Sequence, residues 1–390
     1  MTQKLGAGII GCGGVSSAHA EAYRNLPDQC NLIAVCDPVE ANANRIADSF
    51  GVETRYADYH DLLADERIDV VSVSVPHFLH APITIDAAKA GNHVIVEKPM
   101  ALTVGEANEM IEAARANNVK LTVGSERINP RYRFIHDKVL PEIGEIKSSW
   151  LVDFYYRDAS YYARGAWRGT WAQEGGGVFV NQAIYTWDQW QDLLGGVDFA
   201  YGYWTNILHP EIEVEDIGYG LVHFRSGAIG KCFATSACES PENGQGIRII
   251  GENGEIHTNS AWLYELDFSL KNRNAEADLR KEFEQVIDLN YRGRYQTWQT
   301  ADFFDAIRAN RSPAVTPETA KEALKILNGI HWHGWNHERK FKAWATAQVE
   351  LDGLKDAATA NTDGWRGGKL VQQLIEFVRS ETSTLDAPFL

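Results

Sequence analysis

Apolar positions in the first third of the chain fall into short β-branched blocks separated by stretches of helical spacing. Leu5 to Ile10, Leu32 to Cys36, Asp69 to Val75, the run through Val96, and Lys120 to Gly124 read as buried strands. Between them, Ala18 to Leu26, Ala81 to Ala90 and Thr103 to Asn117 read as helices. Gly91 stops the second, and Thr103 with Glu106 three residues on forms a capping box for the third. Strand and helix in alternation predict a parallel sheet covered by helices.

After Pro130 the period changes. A short helix (Tyr132 to Leu140) precedes four aromatic and β-branched runs: Ile146 to Tyr156, Phe199 to Leu208, Ile217 to Phe224 and Ala228 to Cys238. Arg225-Ser226-Gly227 and Asn253-Gly254 supply hairpin turns. These runs predict a large, open, mostly antiparallel sheet, one face against helices and the other free for another subunit. Helices return at Gln296 to Arg308 and Pro317 to Ile330, and a further apolar-periodic helix is expected over Leu370 to Val378. The pattern divides the chain into a parallel-sheet domain (1–125), an α+β domain (126–335) and a helical extension (336–390) that packs on a neighbouring subunit.

The first strand ends in Gly11-Cys12-Gly13-Gly14-Val15-Ser16, a G-x-G-x-x-small turn that opens a helix. Gly11 suits the tight turn, Gly13 lets the backbone approach a pyrophosphate, and Ser16 lets helix and strand pack closely. The helix start offers free N–H groups and a positive dipole end. Asp37, closing the second strand, can bond ribose hydroxyls and repels a 2′-phosphate. The expectation is a Rossmann domain for NAD, not NADP. Cys12, Gly14 and Val15 in the turn and Pro38 beside Asp37 join the expected cofactor contacts. So do Val75, Pro76, His77 and His80 at the end of the next strand, then Glu97, Lys98 and Arg127 further round the sheet edge.

Composition narrows the class. The 390 residues are 44% apolar and 23% charged, as in a soluble two-domain protein. No apolar run reaches the ~18 residues of a membrane span. The five cysteines lack metal-ligand spacing, so no metal and a reducing cytoplasm are expected. The start runs straight into a strand, which predicts no export signal. A net charge of −16 argues against nucleic acid or anionic membranes as partners.

Glu174-Gly175-Gly176-Gly177 opens another helix. Val180, Ile184, Trp187 and Leu194 share its core face, and Asn181, Tyr185 and Asp188 an adjacent polar face. The glycine turn, Glu97-Lys98-Pro99 and this Gly-rich helix start, in that order, resemble the glucose-fructose oxidoreductase, inositol dehydrogenase and rhizopine-catabolism (Gfo/Idh/MocA) family over roughly residues 1 to 335. The resemblance implies a Rossmann domain followed by an α/β domain with an open antiparallel sheet. It implies NAD(P)-dependent oxidation of sugars, cyclic polyols or related carbonyl compounds, in homodimers or homotetramers. It gives Lys98 contact with substrate and the nicotinamide ribose. It puts Tyr185 where many members have a catalytic histidine, matches Asp188 to the aspartate of that motif, and puts Asn181 where inositol dehydrogenases have an aspartate.

A Lys98 ammonium beside Tyr185 is expected to favour phenolate, which makes Tyr185 the base in alcohol oxidation and Lys98 its helper. Asn181 cannot serve as a base and Asp188 is expected to orient neighbours instead of reacting, and both, with Lys98 and Tyr185, are expected to bind substrate. Trp167 and Arg168 are expected to wall the nicotinamide side, and Trp167 and Tyr156 to touch substrate, with Tyr155, Tyr161 and Trp171 as further candidates. The expected activity is NAD-dependent dehydrogenation of a sugar or polyol CH–OH. Alternatives are a glycosidase or epimerase that recycles bound NAD, and an NAD-responsive regulator. Retention of Lys98 and Tyr185 counts against the regulator.

Overall fold

The structure is a computed structural model that describes residues 4–239, 245–258, 266–287 and 295–336. The expected helix over Leu370 to Val378 lies outside the described residues. The first sheet comprises β1 (Leu5–Ile10), β2 (Cys30–Cys36), β3 (Thr54–Tyr56), β4 (Val70–Val73), β5 (His93–Val96) and β6 (Leu121–Val123), all parallel, in the order β3-β2-β1-β4-β5-β6. All four residues of β4 are buried, as expected of a strand covered on both faces. The capping box forms: Glu106 N donates to Thr103 Oγ1 at 3.1 Å and Thr103 N to Glu106 Oε2 at 3.2 Å. The chain order reverses between β1 and β4, which opens a crevice at the strand carboxyl ends.

The second sheet comprises β7 (Ile146–Phe154), β8 (Val197–Thr205), β9 (Ile217–Phe224), β10 (Ile229–Thr235), β11 (Gly246–Gly251), β12 (Gly254–Thr258) and β13 (Leu266–Leu270), in the order β13-β12-β11-β7-β10-β9-β8. Neighbours are antiparallel apart from β7 and β10, which run parallel. The helix Ile184–Leu193 lies on the inner face, with Trp187 and Trp190 fully buried. Gly230 makes that approach possible, since a β-carbon there would overlap the Trp190 ring. The outer face leaves Phe199, Tyr201, Tyr219, Leu221 and Ile229 exposed.

The linear boundary near residue 125 is not the spatial one. The helix Tyr295–Arg308 returns to the first sheet, where Phe303 and Phe304 are buried with Ala20 and Tyr23. Tyr23 and Phe304 stack at 6.1 Å, and Arg308 Nη1 donates to Gln29 Oε1 at 2.7 Å. No helix among the described residues is long and apolar enough to cross a membrane.

Candidate active site

The glycine turn has the shape its sequence predicts. Gly11 has φ +90°, and a β-carbon there would sit 2.5 Å from the Ser74 carbonyl oxygen. Gly13 and Gly14 face open space, with nothing within 4 Å of a built β-carbon. The helix Ser16–Arg24 begins directly afterwards, without an acidic residue in its first turn. Asp37 is positioned by the main chain: Oδ2 accepts from Cys12 N and Oδ1 from Val39 N, each at 2.8 Å. Open glycines, a free helix start and a placed carboxylate fit a dinucleotide. Sequence reasoning missed Arg45, whose Nη2 donates to the carbonyls of Cys12 (2.5 Å) and Gly13 (3.1 Å) and braces the turn from outside.

His77 and His80, beyond the half-buried Val75 and Pro76, are held by carbonyls. His77 Nδ1 lies 2.9 Å from Glu174 O, and His80 contacts Pro99 O at 2.7 Å and Val75 O at 3.0 Å. Burial lowers the pKa of each, against the pull of those carbonyls. His77 also meets Trp167 edge-on at 4.8 Å. The two His77 contacts tie the nucleotide domain to the loop that precedes the second Gly-rich helix start.

Lys98 joins the two halves. Its Nζ donates to Asn181 O at 3.0 Å and sits 4.3 Å above the Tyr185 ring. Burial lowers its pKa to about 8; Glu97 opposes this and Arg168 adds to it. Tyr185 moves the other way. Burial pushes its hydroxyl well above the usual tyrosine range, and Glu97 and Glu126 push it further. The expected phenolate is therefore corrected: the ammonium stacks on the ring face while burial and two carboxylates keep the hydroxyl protonated.

Glu174 is the residue that sequence reasoning passed over. Its signal was a carboxylate immediately before three glycines. Oε2 accepts from Gly169 N at 2.5 Å, Oε1 accepts from Asn181 Nδ2, and Arg168 Nη1 lies 3.5 Å away. Burial still pushes its pKa up to about 7. Glu174 thus fixes the residue whose carbonyl holds Lys98. Arg168 stacks on Trp167 at 4.5 Å and on Tyr161 at 4.6 Å, and donates to the Tyr161 hydroxyl at 2.8 Å.

Asp188 lines one small cavity with Lys98 and Tyr185, yet its carboxylate points into an ionic network. Oδ2 accepts from Ser125 Oγ at 2.5 Å and Arg127 Nε at 3.0 Å. Arg127 directs its other donors to Asp192 (2.7 Å) and Thr319 (3.0 Å), so the structure gives it a bracing place between the domains instead of the expected cofactor contact. Tyr156 is 45% exposed on the outer face. Its neighbour Tyr155 faces inward, with its hydroxyl donating to Gln182 O at 3.3 Å. A strand alternates sides at every residue, so the inner tyrosine is Tyr155. Trp171 packs on Trp204 (4.9 Å) and His331 (5.0 Å), in an aromatic cluster of its own.

The family described as "Oxidoreductase family, NAD-binding Rossmann fold" matches residues 5–125, and its companion "Oxidoreductase family, C-terminal alpha/beta domain" matches residues 133–344. The chain is 25% identical to the myo-inositol 2-dehydrogenase of Thermotoga maritima over 324 residues, 82% of this chain and 93% of that protein. It is 28% identical to the levoglucosan dehydrogenase of Pseudarthrobacter phenanthrenivorans over 319 residues, 73% of this chain and 80% of that protein. Its fold is similar to the WlbA dehydrogenase from Chromobacterium violaceum, solved with NADH and UDP-GlcNAcA, with a TM-score of 0.79, 26% identity, and coverage of 86% of this chain and 95% of that one.

Proposed function

This chain belongs to the Gfo/Idh/MocA oxidoreductase family, and from that premise we propose that it is an NAD-dependent dehydrogenase oxidising a secondary alcohol or hemiacetal carbon of a sugar or cyclic polyol. The observation that carries the reading is the placement of Lys98, held by Asn181 O, stacked on Tyr185 and with a pKa of about 8. Gly11 to Val15 would hold the pyrophosphate and Asp37 the adenosine ribose. When bound, NAD supplies the hydride acceptor. Above about pH 8 Lys98 is neutral and can take the proton of the substrate hydroxyl at Nζ. Below it, the ammonium stabilises a carbonyl oxygen in the reverse direction. The Tyr185 hydroxyl, kept protonated, donates a hydrogen bond to the same oxygen.

The relatives act on inositols and an anhydrosugar by name, and Lys98 with Tyr185 offers the amine and hydroxyl that a hydroxyl-bearing ligand of that kind needs. The exposed aromatic face of the second sheet suits a homodimer or homotetramer. Free cysteines at all five positions suit the cytoplasm. The test is NADH formation with NAD and a panel of aldoses, inositols, anhydrosugars and glycosides. One NADH per substrate oxidised supports the reading. Glycoside cleavage or epimer formation without NADH release overturns it, as does silence across the panel.

A further inference from the structure

Four cationic side chains gather at the mouth of the Lys98 cleft, in a protein of net charge −16. Arg157, Arg164 and Arg168 all lie against the Tyr161 ring, at 5.0, 5.4 and 4.6 Å from its centroid. Arg157 also stacks on Tyr155 at 5.8 Å, and Arg157 and Arg168 both repel the Lys98 charge. The anions nearby are committed elsewhere. Glu174 serves Arg168, Gly169 and Asn181. Glu97 serves His19 at 2.9 Å. Asp158 caps its own helix through Tyr161 N at 3.0 Å and takes the Ser160 hydroxyl at 2.6 Å.

Arg157 carries the unmet buried donor in this group. One nitrogen donates to Tyr156 O at 2.7 Å, its buried Nε has no partner, and no carboxylate pairs with it among the described residues. Arg157 is half-buried, and a part-desolvated cation without a counter-ion is stabilised by an anionic ligand. Oxidised cofactor would add a further positive charge to the same cleft.

We propose that Arg157 is an anion-recognition residue and that the substrate is a sugar bearing a carboxylate or phosphate group. The inference rests on the dehydrogenase reading and names its substrate class. The two aromatic rings flank the guanidinium, and its terminal nitrogens are the donors left to grip a carboxylate or phosphate. The anion neutralises the cluster and leaves Lys98 free to act on the alcohol.

The test is titration of the NADH-loaded protein with matched pairs: glucose against glucuronate, gluconate and glucose 6-phosphate, and galactose against galacturonate. At least one anionic member should bind 10-fold or more tighter than its neutral parent, with affinity falling as salt rises. Carboxylate and phosphate arms tell which anion is read. In Arg157→Gln the advantage should vanish while NADH affinity stays, and Arg157→Lys should restore part of it. Neutral parents binding as tightly as their anions overturns the proposal. So does a panel in which no anion binds, or an advantage that persists in Arg157→Gln. The parent comparison and its salt dependence stand even where a variant folds poorly. NADH release from neutral sugars alone would sink this proposal and leave the dehydrogenase reading intact.

Discussion

Lys98 lies between two carboxyls that burial alone would treat alike. Glu97, at the end of β5, is 4% exposed, and Glu174, in the loop before the glycine run, is fully buried. Burial raises each, yet the outcomes diverge. Glu97 accepts from His19 Nε2 at 2.9 Å and from the Lys98 N–H at 3.2 Å, and with the Lys98 charge beside it its pKa ends below the ordinary value. Glu174 has a backbone N–H, an amide and an arginine at 3.5 Å, and ends at about 7. The nucleotide-domain wall of the cleft is therefore a fixed anion, and the loop wall titrates in the physiological range. The lesson is that partners decide the charge of a buried carboxyl, and that this site keeps its adjustable group on the glycine-flanked side.

The first way to break the comparison removes the group between the walls. Lys98→Met should cut turnover by ~10²-fold or more while NADH affinity holds, the scale of one lost charge contact at a reacting centre. Near-normal turnover in the folded variant would remove Lys98 from the chemistry. Tyr185→Phe should cost about 10-fold, one hydrogen bond to the substrate oxygen, and should leave the alkaline rise near pH 8 where Lys98 puts it. Loss of that rise in Tyr185→Phe would return the proton to the tyrosine.

The walls are then separated by their pH behaviour. Lys98 must lose its proton for oxidation, so the parent's log rate should climb with slope near one up to about pH 8, and ionisation of Glu174 should add a few-fold step near pH 7. Glu174→Gln should show slope one throughout, with a few-fold lower plateau. Both oxygens of Glu174 accept, so in either orientation a glutamine turns its NH₂ towards Gly169 N or Asn181 Nδ2. Glu97→Gln should instead move the whole rise to lower pH by about one unit, because it removes the anion that most supports the Lys98 charge. Equal shifts from both variants would erase the distinction between the walls.

A smaller effect lies outside the cleft. Asp153 accepts from Thr186 Oγ1 at 3.1 Å, and burial pushes its pKa from 3.8 up to about 8. The folded state keeps a proton that the unfolded state releases, so its stability is fully present below about pH 3.8 and is lost as pH rises to about 8. Asp153→Asn should raise Tm by ~4 °C at pH 9 relative to the parent and change it little at pH 4. An equal gain at both pH values would show that Asp153 is not the titrating group.

Local signals made the first sheet legible: a β-branched run, a glycine turn and a capping box each act within a dozen residues. β3 escaped because Thr54-Arg55-Tyr56 carries no apolar block and none of its residues is fully buried. The helix face Val180, Ile184 and Trp187 also followed from spacing, and all three are buried. What spacing could not supply was environment. Tyr185 was named from its place on the helix, but its protonation depends on Glu97 and Glu126, distant in sequence. Arg127 looked free at a strand end, and its partners Asp188 and Asp192 lie more than sixty residues away. Tyr156 and Tyr155 differ by one step of strand register, which period-2 reasoning sets only once the inner face is known.

The returning helix Tyr295–Arg308 changes how the chain must be made. The nucleotide domain occupies the first 125 residues, yet its seat for Phe303 and Phe304 is filled from a segment about 180 residues later. At ribosomal speed the sheet therefore waits roughly 10–40 s for its last piece. During that interval Tyr23 and its apolar neighbours stand bare, and a nascent chain stalled before residue 295 carries a sticky surface that holdase chaperones are built to cover. Assembly of this protein is thus closed from the far end of its own message.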